Sequence, residues 1–194
     1  MNHVLQSLVI PNNKFSAPKE MYLRFLSDLG YVDYVDNYVQ LKPCGKISFD
    51  TFYSSFTISH WKQKTNIKNL FFKIKATGIF GISIYLNKIG NFQKVLGFQK
   101  VNSKTVEETK IEIEEWENLN NGMLFVLIEA YEDTKIFGGY FGTNDEPKNE
   151  VNLGIVITHF NRKQYVIPAI KRLKEELIED NLYKNNIELI VVDN

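Results

Sequence analysis

Three polar residues stand where two strongly apolar runs end, and their side chains suit a nucleotide. Thr158 and Arg162 follow the run GIVI, and Asp193 follows the run IELIVV. Arg162 supplies a full positive charge, and a helix starting beside it adds unpaired backbone N–H groups, which together suit a diphosphate. The carboxylate of Asp193 can accept hydrogen bonds from a base or a ribose. These residues predict half of a nucleotide-binding site.

A strand, a helix and a second parallel strand are needed to position these residues. The apolar run 153–157 is typical of a parallel strand covered on both faces, and IELIVV predicts another. Between them, Asn161 and Gln164 predict a capping box at the start of a helix. The helical spacing is carried by Ile167, Ile170, Leu173 and Leu177. Ligands of such open α/β sheets lie beyond the carboxyl ends of the strands.

Two common phosphate-binding motifs are absent from the sequence. There is no G-x-G-x-x-G turn, which counts against a dinucleotide-binding fold, and no G-x-x-x-x-G-K-[ST] loop. The three histidines are scattered without metal-ligand spacing, and no metal ligands are assigned.

The longer first part of the chain alternates apolar and polar residues with period two, from about Tyr38 to Phe141. This pattern predicts a mainly β protein: an antiparallel β-sandwich or jelly roll, with one sheet face towards water. A turn is expected at Gly78 to Gly81, and the charged segment KIEIEEWENLNN predicts a solvated strand edge and turn. The strands are marked by Leu70, Phe72, Ile74 and Ala76; Ile82, Ile84 and Leu86; Ile111 and Ile113; Leu124, Val126 and Ile128.

The alternation stops at GTNDEPKNE, where turn formers and charges take over. We therefore predict a β domain over 1–145 and the start of an α/β domain over 146–194. Basic and acidic residues balance at 23 each, so no overall charge attracts nucleic acid. Cys44 is the single cysteine, and no apolar span is long enough for a membrane. A cytoplasmic protein is expected, with peripheral association at the inner face of the membrane as an alternative.

The segments GIVITHFNR, AIKRL and IELIVVDN resemble the opening of family 2 glycosyltransferases of the GT-A fold. Those enzymes commonly begin with an apolar strand ending in T-x-[FY]-N-R and continue to V-V-D-N. The resemblance implies that Thr158, Arg162 and Asp193 hold the uridine of a UDP-sugar. His159 departs from the pattern, because relatives often have Thr or another small residue there, and it is given no role.

The segment from Lys46 to Leu86 is similar to the N-terminal sandwich of the polymerising galactofuranosyltransferases of mycobacterial cell walls. The matching residues are Thr51, Phe52 and Tyr53, followed by His60 and Trp61. Tyr53 and Trp61 are candidate carbohydrate contacts, since aromatic faces suit the apolar side of a sugar ring. Core packing is the alternative, and the default expectation, for Trp61 and the Tyr and Phe residues around it.

The resemblance implies a parent enzyme that transfers a sugar from a UDP donor to a glycan acceptor in cell-surface polysaccharide synthesis. It also implies a divalent metal, Mn or Mg, held by a D-x-D motif, and a later catalytic base. The chain ends before either, so it is expected to be a truncated piece that does not catalyse alone, and no catalytic residue is assigned. The alternative is a non-catalytic carbohydrate-binding or assembly module with an incidental α/β tail.

Overall fold

Two units make up the chain in the computed structural model, Met1–Glu146 and Pro147–Asn194. The structure describes residues 2–12, 18–88, 92–146, 153–175 and 187–193. Within these ranges, no helix is both long and apolar enough to cross a membrane.

The first unit is mainly β. Its strands are β1 (His3–Leu8), β2 (Arg24–Phe25), β3 (Gly30–Asp33), β4 (Tyr38–Leu41), β5 (Lys46–Ser48), β6 (Phe56–Thr57), β7 (Phe71–Lys88), β8 (Phe92–Glu112), β9 (Met123–Ala130) and β10 (Thr134–Thr143). In the described part of this unit, one α-helix, α1 (Ile58–Lys64), and two 3-10 turns, Lys19–Met21 and Trp116–Asn118, interrupt them. All the strand pairs are antiparallel, as the period-two pattern predicts.

Strand β7 lies at the centre of the sheet and pairs with three others. It pairs with β8 along its length, from Phe71 opposite Glu112 to Lys88 opposite Phe92. On its other edge, residues 71–77 pair with β10, and residues 80–87 pair with β9. The main path of the sheet runs β2, β5, β9, β7, β10, β4, β3. Strand β7 therefore joins the β9 side of the sheet to the β10 side.

The predicted turn at Gly78 to Gly81 is wrong, because the chain continues there as one strand. Gly78 instead marks the place where β7 changes partners, and its φ is +111°. A Cβ atom at this position would lie 2.5 Å from the carbonyl oxygen of Asp133 and 2.6 Å from Oγ1 of Thr134. The glycine thus lets β10 approach β7 closely at a bend, where a turn would have ended the strand.

The core is built from the inward-facing positions of these strands. On β7 the side chains of the core cluster lie at alternate positions on either side of Gly78: Phe72, Ile74 and Ala76, then Phe80, Ile82, Ile84 and Leu86. Leu124, Val126 and Ile128 of β9 are also buried, as predicted. Trp116 is 1% exposed, and its indole N–H donates to the carbonyl of Ile67 at 3.0 Å. Trp116 therefore packs in the core, although the charged segment KIEIEEWENLNN in which it stands predicted only a solvated strand edge and turn.

The second unit contains β11 (Leu153–His159), α2 (Lys163–Leu173) and β12 (Ile187–Asp193). The two strands pair in parallel, with Leu153 opposite Ile187 and His159 opposite Asp193. The predicted order of strand, helix and parallel strand is therefore confirmed. Leu177, which the helical spacing also included, lies outside the described residues.

The predicted cap of this helix is wrong. Arg162 occupies the N-cap position, and no side-chain hydrogen bond caps the described helix. Asn161 has a φ of +50°, a left-handed conformation that asparagine tolerates better than most residues. The asparagine thus serves the sharp bend between β11 and α2.

We expect Gly78→Ala to lower the free energy of unfolding by roughly 2–4 kcal/mol, because the new methyl group meets backbone atoms at a positive φ. Gly97→Ala is the matched control on the neighbouring strand, since the nearest atom to its new Cβ would be 3.4 Å away. Urea unfolding of both variants tests this. Equal stability of the two would contradict the close approach at Gly78.

Asp145 ties the end of β10 to the segment before β7. Its Oδ2 accepts hydrogen bonds from the backbone N–H groups of Lys68 and Asn69, at 2.5 and 3.1 Å, and from the Thr143 hydroxyl at 3.1 Å. Burial raises the pKa of this carboxyl, but these hydrogen bonds outweigh burial and hold the pKa below its ordinary value of 3.8.

The resulting stabilisation should be present above the unfolded-state pKa and be lost as pH falls through the lower folded-state value. We expect Asp145→Asn to cost about 1 kcal/mol at neutral pH and less in acid. Asp133→Asn, in an exposed pair with Lys42, is the control and should cost less than about 0.5 kcal/mol. Urea unfolding from pH 7 to pH 2 would measure both. A loss for Asp145→Asn that does not shrink in acid would contradict this role.

Candidate functional site

A cleft of about 460 Å³ lies at the carboxyl end of β11, beside the start of α2. Thr158 and Arg162, two of the residues predicted to bind a nucleotide, both line it. The bend at Asn161 turns the chain from the strand into the helix, and this brings the two side chains to one cavity although three residues separate them. Both residues are exposed, so a ligand can reach them.

The helix end gives this cleft a positive electrostatic character. Helix α2 begins at Lys163, and the first N–H groups of a helix have no acceptor within it. The carbonyl of Arg162 accepts from the N–H groups of Tyr165 and Val166, at 3.0 and 3.2 Å, which fixes the first turn. The guanidinium of Arg162 adds a full charge to the partial charge of the helix end. An anionic group such as a diphosphate suits this position.

Asp193 belongs to the neighbouring parallel strand. Its backbone is in register with His159, so it ends β12 at the same sheet edge where Thr158 and His159 end β11. The fold thus brings all three predicted nucleotide-binding positions to one edge, which the parallel pairing makes possible.

Two aromatic residues of the cleft were missed by the sequence reasoning. Phe160 and Tyr165 line it and are 74% and 68% exposed. Their rings offer apolar faces beside the positive helix end, an arrangement that suits a planar base next to a phosphate. The signal was in the sequence, since Phe160 stands inside THFNR, but an aromatic residue at a strand end usually indicates packing.

Trp61 lies on α1 and is half-buried against the core. Its ring stacks on Phe56, with centroids 5.6 Å apart and planes at 9°. Phe56 in turn contacts Trp116 and Phe141 at 6.0 and 5.0 Å. One face of Trp61 is therefore occupied by the core, as the core-packing alternative expected.

Tyr53 lies in the loop before β6 and is 39% exposed. Its ring stacks on Tyr22, with centroids 4.7 Å apart and planes at 15°. Phe52, which is 76% exposed, meets it edge-on at 5.0 Å. Tyr53 and Phe52 thus form a small exposed aromatic group, whereas Trp61 packs against the core.

No group of three or more His, Cys, Asp or Glu among the described residues is placed to hold a metal ion. The described part of the chain therefore does not form the divalent-metal site that the family resemblance implies for the complete enzyme.

Comparisons with known proteins give a family for this chain, and the family match lies within the first unit. The sequence model of the family described as Galactofuranosyltransferase 2 N-terminal matches residues 32–143, more than half of the chain. Galactofuranosyltransferase GlfT2 of Mycobacterium tuberculosis (strain ATCC 25618 / H37Rv) is 22% identical over 151 residues, which cover 74% of this chain and 23% of the relative. The chain thus spans about a quarter of the length of that relative.

Solved structures give weaker likenesses. A family 6 carbohydrate-binding module is similar with a TM-score of 0.41 at 12% identity, covering 62% of this chain and 87% of the module. The N-terminal modules of endo-1,4-beta-D-xylanase 10B of Clostridium thermocellum, complexed with xylohexaose, give a TM-score of 0.46 at 12% identity and cover 90% of this chain and 36% of theirs. Neither TM-score is high enough to bear on function.

The two sequence-predicted carbohydrate contacts should differ in their effect on stability. We expect Trp61→Ala to lower the free energy of unfolding by about 2 kcal/mol, because the ring packs on Phe56 and the core. Tyr53→Ala should cost about 1 kcal/mol or less, because its ring is largely outside the core. Denaturant unfolding compares the two variants. A larger loss for Tyr53→Ala would contradict the placement of these rings.

Proposed function

The chain belongs to the galactofuranosyltransferase 2 N-terminal family, and from this premise we propose that it is the N-terminal part of a UDP-sugar-dependent glycosyltransferase. The parent enzyme transfers a sugar, galactofuranose by family, from the UDP donor to a growing cell-surface polysaccharide. In this proposal, residues 146–194 begin a catalytic domain of the GT-A fold, family 2. The β unit, residues 1–145, helps to position the glycan acceptor or to assemble the enzyme.

The observation that carries the proposal is the shared cleft of Thr158 and Arg162 at the N-terminus of α2. In the proposed complex, the guanidinium of Arg162 and the helix N–H groups bind the diphosphate, since both favour anions. The Thr158 hydroxyl donates to the nucleotide. The Asp193 carboxylate accepts a hydrogen bond from the N–H group of uracil. An ionised carboxylate only accepts, whereas a protonated carboxyl or an amide also carries donors and suits this position less well.

Phe160 and Tyr165 extend this assignment. Their exposed rings line the same cleft, and a uracil held by Asp193 has an apolar face to lay against one of them. The complete site would also need the metal that the family uses on the diphosphate. Among the described residues, no group of His, Cys, Asp or Glu is placed to hold such an ion.

The location of the parent enzyme follows from its proposed substrates. UDP-sugars are cytoplasmic metabolites and cell-surface glycans are built at the membrane, so we propose a cytoplasmic enzyme at the inner face of the membrane.

The second candidate function is a non-catalytic carbohydrate-binding or assembly module. The exposed rings of Phe52 and Tyr53, which lie in the β unit, favour this candidate.

Substitutions in the full-length enzyme test the nucleotide site. We expect Arg162→Ala to weaken UDP binding roughly tenfold to a hundredfold, because a charge-assisted contact worth about 1.5–3 kcal/mol is lost. Asp193→Asn should weaken uridine binding more than pyrophosphate binding, and Arg162→Ala should do the reverse. Calorimetric titrations with UDP, uridine and pyrophosphate separate the two effects.

Lys171→Ala is the matched control, because Lys171 is an exposed cation in the last turn of the same helix. Its UDP affinity should equal that of the unmodified enzyme. Unchanged UDP affinity in both Arg162→Ala and Asp193→Asn would reduce the two strand ends to structural features and leave the β unit as the remaining functional candidate.

A further inference from the structure

Two exposed aromatic rings approach the same glycine on the outer face of the β unit. Phe98 of β8 is 60% exposed, and Tyr131, just after β9, is 41% exposed. Both rings lie against Gly81 of the central strand β7. A Cβ atom on Gly81 would be 3.1 Å from Cε2 of Phe98 and 2.6 Å from the hydroxyl oxygen of Tyr131. We call Phe98, Tyr131 and the glycine beneath them the aromatic platform.

The strand register explains why these residues share one face. Gly81 is opposite Lys100 on β8 and opposite Glu129 on β9. Phe98 is two residues before Lys100, and Tyr131 is two residues after Glu129. Because side chains alternate between the faces of a sheet, Phe98, Lys100 and Glu129 point to the same face as Gly81, opposite the core. Tyr131 follows the end of β9, and the approach of its hydroxyl oxygen to the Cβ position of Gly81 places its ring on that face. The neighbouring positions 80 and 82 of β7 are fully buried, which identifies the inner face.

Polar groups with both donors and acceptors border the aromatic platform. The ammonium group of Lys100 lies 5.2 Å from the centre of the Tyr131 ring. Glu129 holds an ion pair with Lys46 of β5 at 3.0 Å, and both side chains remain partly exposed. A border of mixed charge disfavours a polyanion, which would meet Glu129, and also disfavours a purely apolar partner, which would bury these charges without compensation.

The glycine itself indicates that the position of the rings matters. A glycine inside a strand weakens that strand, and it is found where another group must approach the backbone closely. Gly81 has an ordinary strand conformation, so its backbone would accept a side chain; it is the two rings that occupy the space. The rings add little to the core, yet both lie over the one position of this strand face that has no side chain.

We propose that the aromatic platform is a binding site for a neutral oligosaccharide, with one sugar ring laid against Phe98 or Tyr131. A sugar ring has an apolar C–H face that suits an aromatic ring, and hydroxyl groups at its edge that Lys100 and Glu129 can bond. This deepens the proposed function and rests on it, because a polymerising transferase has a neutral glycan as its acceptor. The platform would hold that glycan on the β unit.

The test is calorimetric titration of the 194-residue chain with a galactofuranose hexasaccharide and, separately, with cellohexaose. We expect at least one of these neutral glycans to bind. Phe98→Ala and Tyr131→Ala should each weaken that binding roughly tenfold, through lost apolar contact. Gly81→Ala should weaken it about threefold or more, because the new methyl group displaces the Tyr131 ring. This variant still carries both Phe98 and Tyr131, so it tests the position of the rings.

Two controls match these variants. Gly97→Ala adds a methyl group on β8 with only ordinary contact distances, and Tyr34→Ala removes an exposed tyrosine elsewhere in the unit. Both should leave glycan affinity unchanged. Phe98→Leu keeps an apolar side chain without an aromatic face, so it should also weaken binding if Phe98→Ala proves unstable.

Three results would overturn the proposal: no binding of either glycan, binding that none of the platform variants alters, or a dimer in sedimentation analysis that Phe98→Ala converts to monomer. The last would make the platform a contact between two copies of the chain. The nucleotide proposal is tested separately through Arg162 and Asp193, so failure of one leaves the other measurable. Binding of cellohexaose alone would support the platform while counting against galactofuranose as the sugar.

Discussion

The β unit depends on one strand that must pair with three others. Strand β7 exchanges backbone hydrogen bonds with β8 on one edge and with β10 and then β9 on the other. A strand can change partners only where its backbone bends, and side chains at the bend compete with the incoming strand for space. Gly78 resolves this competition, because the carbonyl oxygen of Asp133 lies where its Cβ would be. The rest of the sheet is assembled around this position.

The alternation of side chains along β7 divides the unit into a core and a surface. Inner positions bring together Phe80, Ile82 and Ile84 with apolar residues of β9, and burial of this apolar area is the main source of stability. The outer positions around Gly81 do not have to supply buried apolar side chains to this core, so they can carry polar or aromatic residues that face solvent. On this outer face Gly81 admits the rings of Phe98 and Tyr131. The same periodicity therefore explains both the packed interior and the exposed platform.

The second unit follows a different rule, because its two strands are parallel. Parallel strands end at the same edge of a sheet, and a helix after the first strand places its N-terminus there. Thr158 and Arg162 meet in one cleft for this reason, and Asp193 ends the neighbouring strand in register with His159. Polar side chains at such an edge do not interrupt the apolar strands behind them, so the edge can be specialised for binding at little cost to the fold.

The sequence by itself determined the mainly β character, the antiparallel pairing, and the order of strand, helix and parallel strand, because these depend on periodicities of two and 3.6 residues that are local. It also placed Thr158 and Asp193 at strand ends, since each directly follows an apolar run, and Arg162 at the start of the helix that follows the first strand. Two predictions from the sequence were wrong. Gly78 was expected in a turn, but it permits a bend within a strand, and Asn161 was expected to cap a helix, but it adopts a left-handed conformation before the helix. Only the tertiary structure decided that Trp116 is buried, that Trp61 packs on Phe56, and that Phe98 and Tyr131 meet above Gly81. Those contacts join residues from separate strands and loops, and strand register, which depends on the packing of the whole sheet, brings them together.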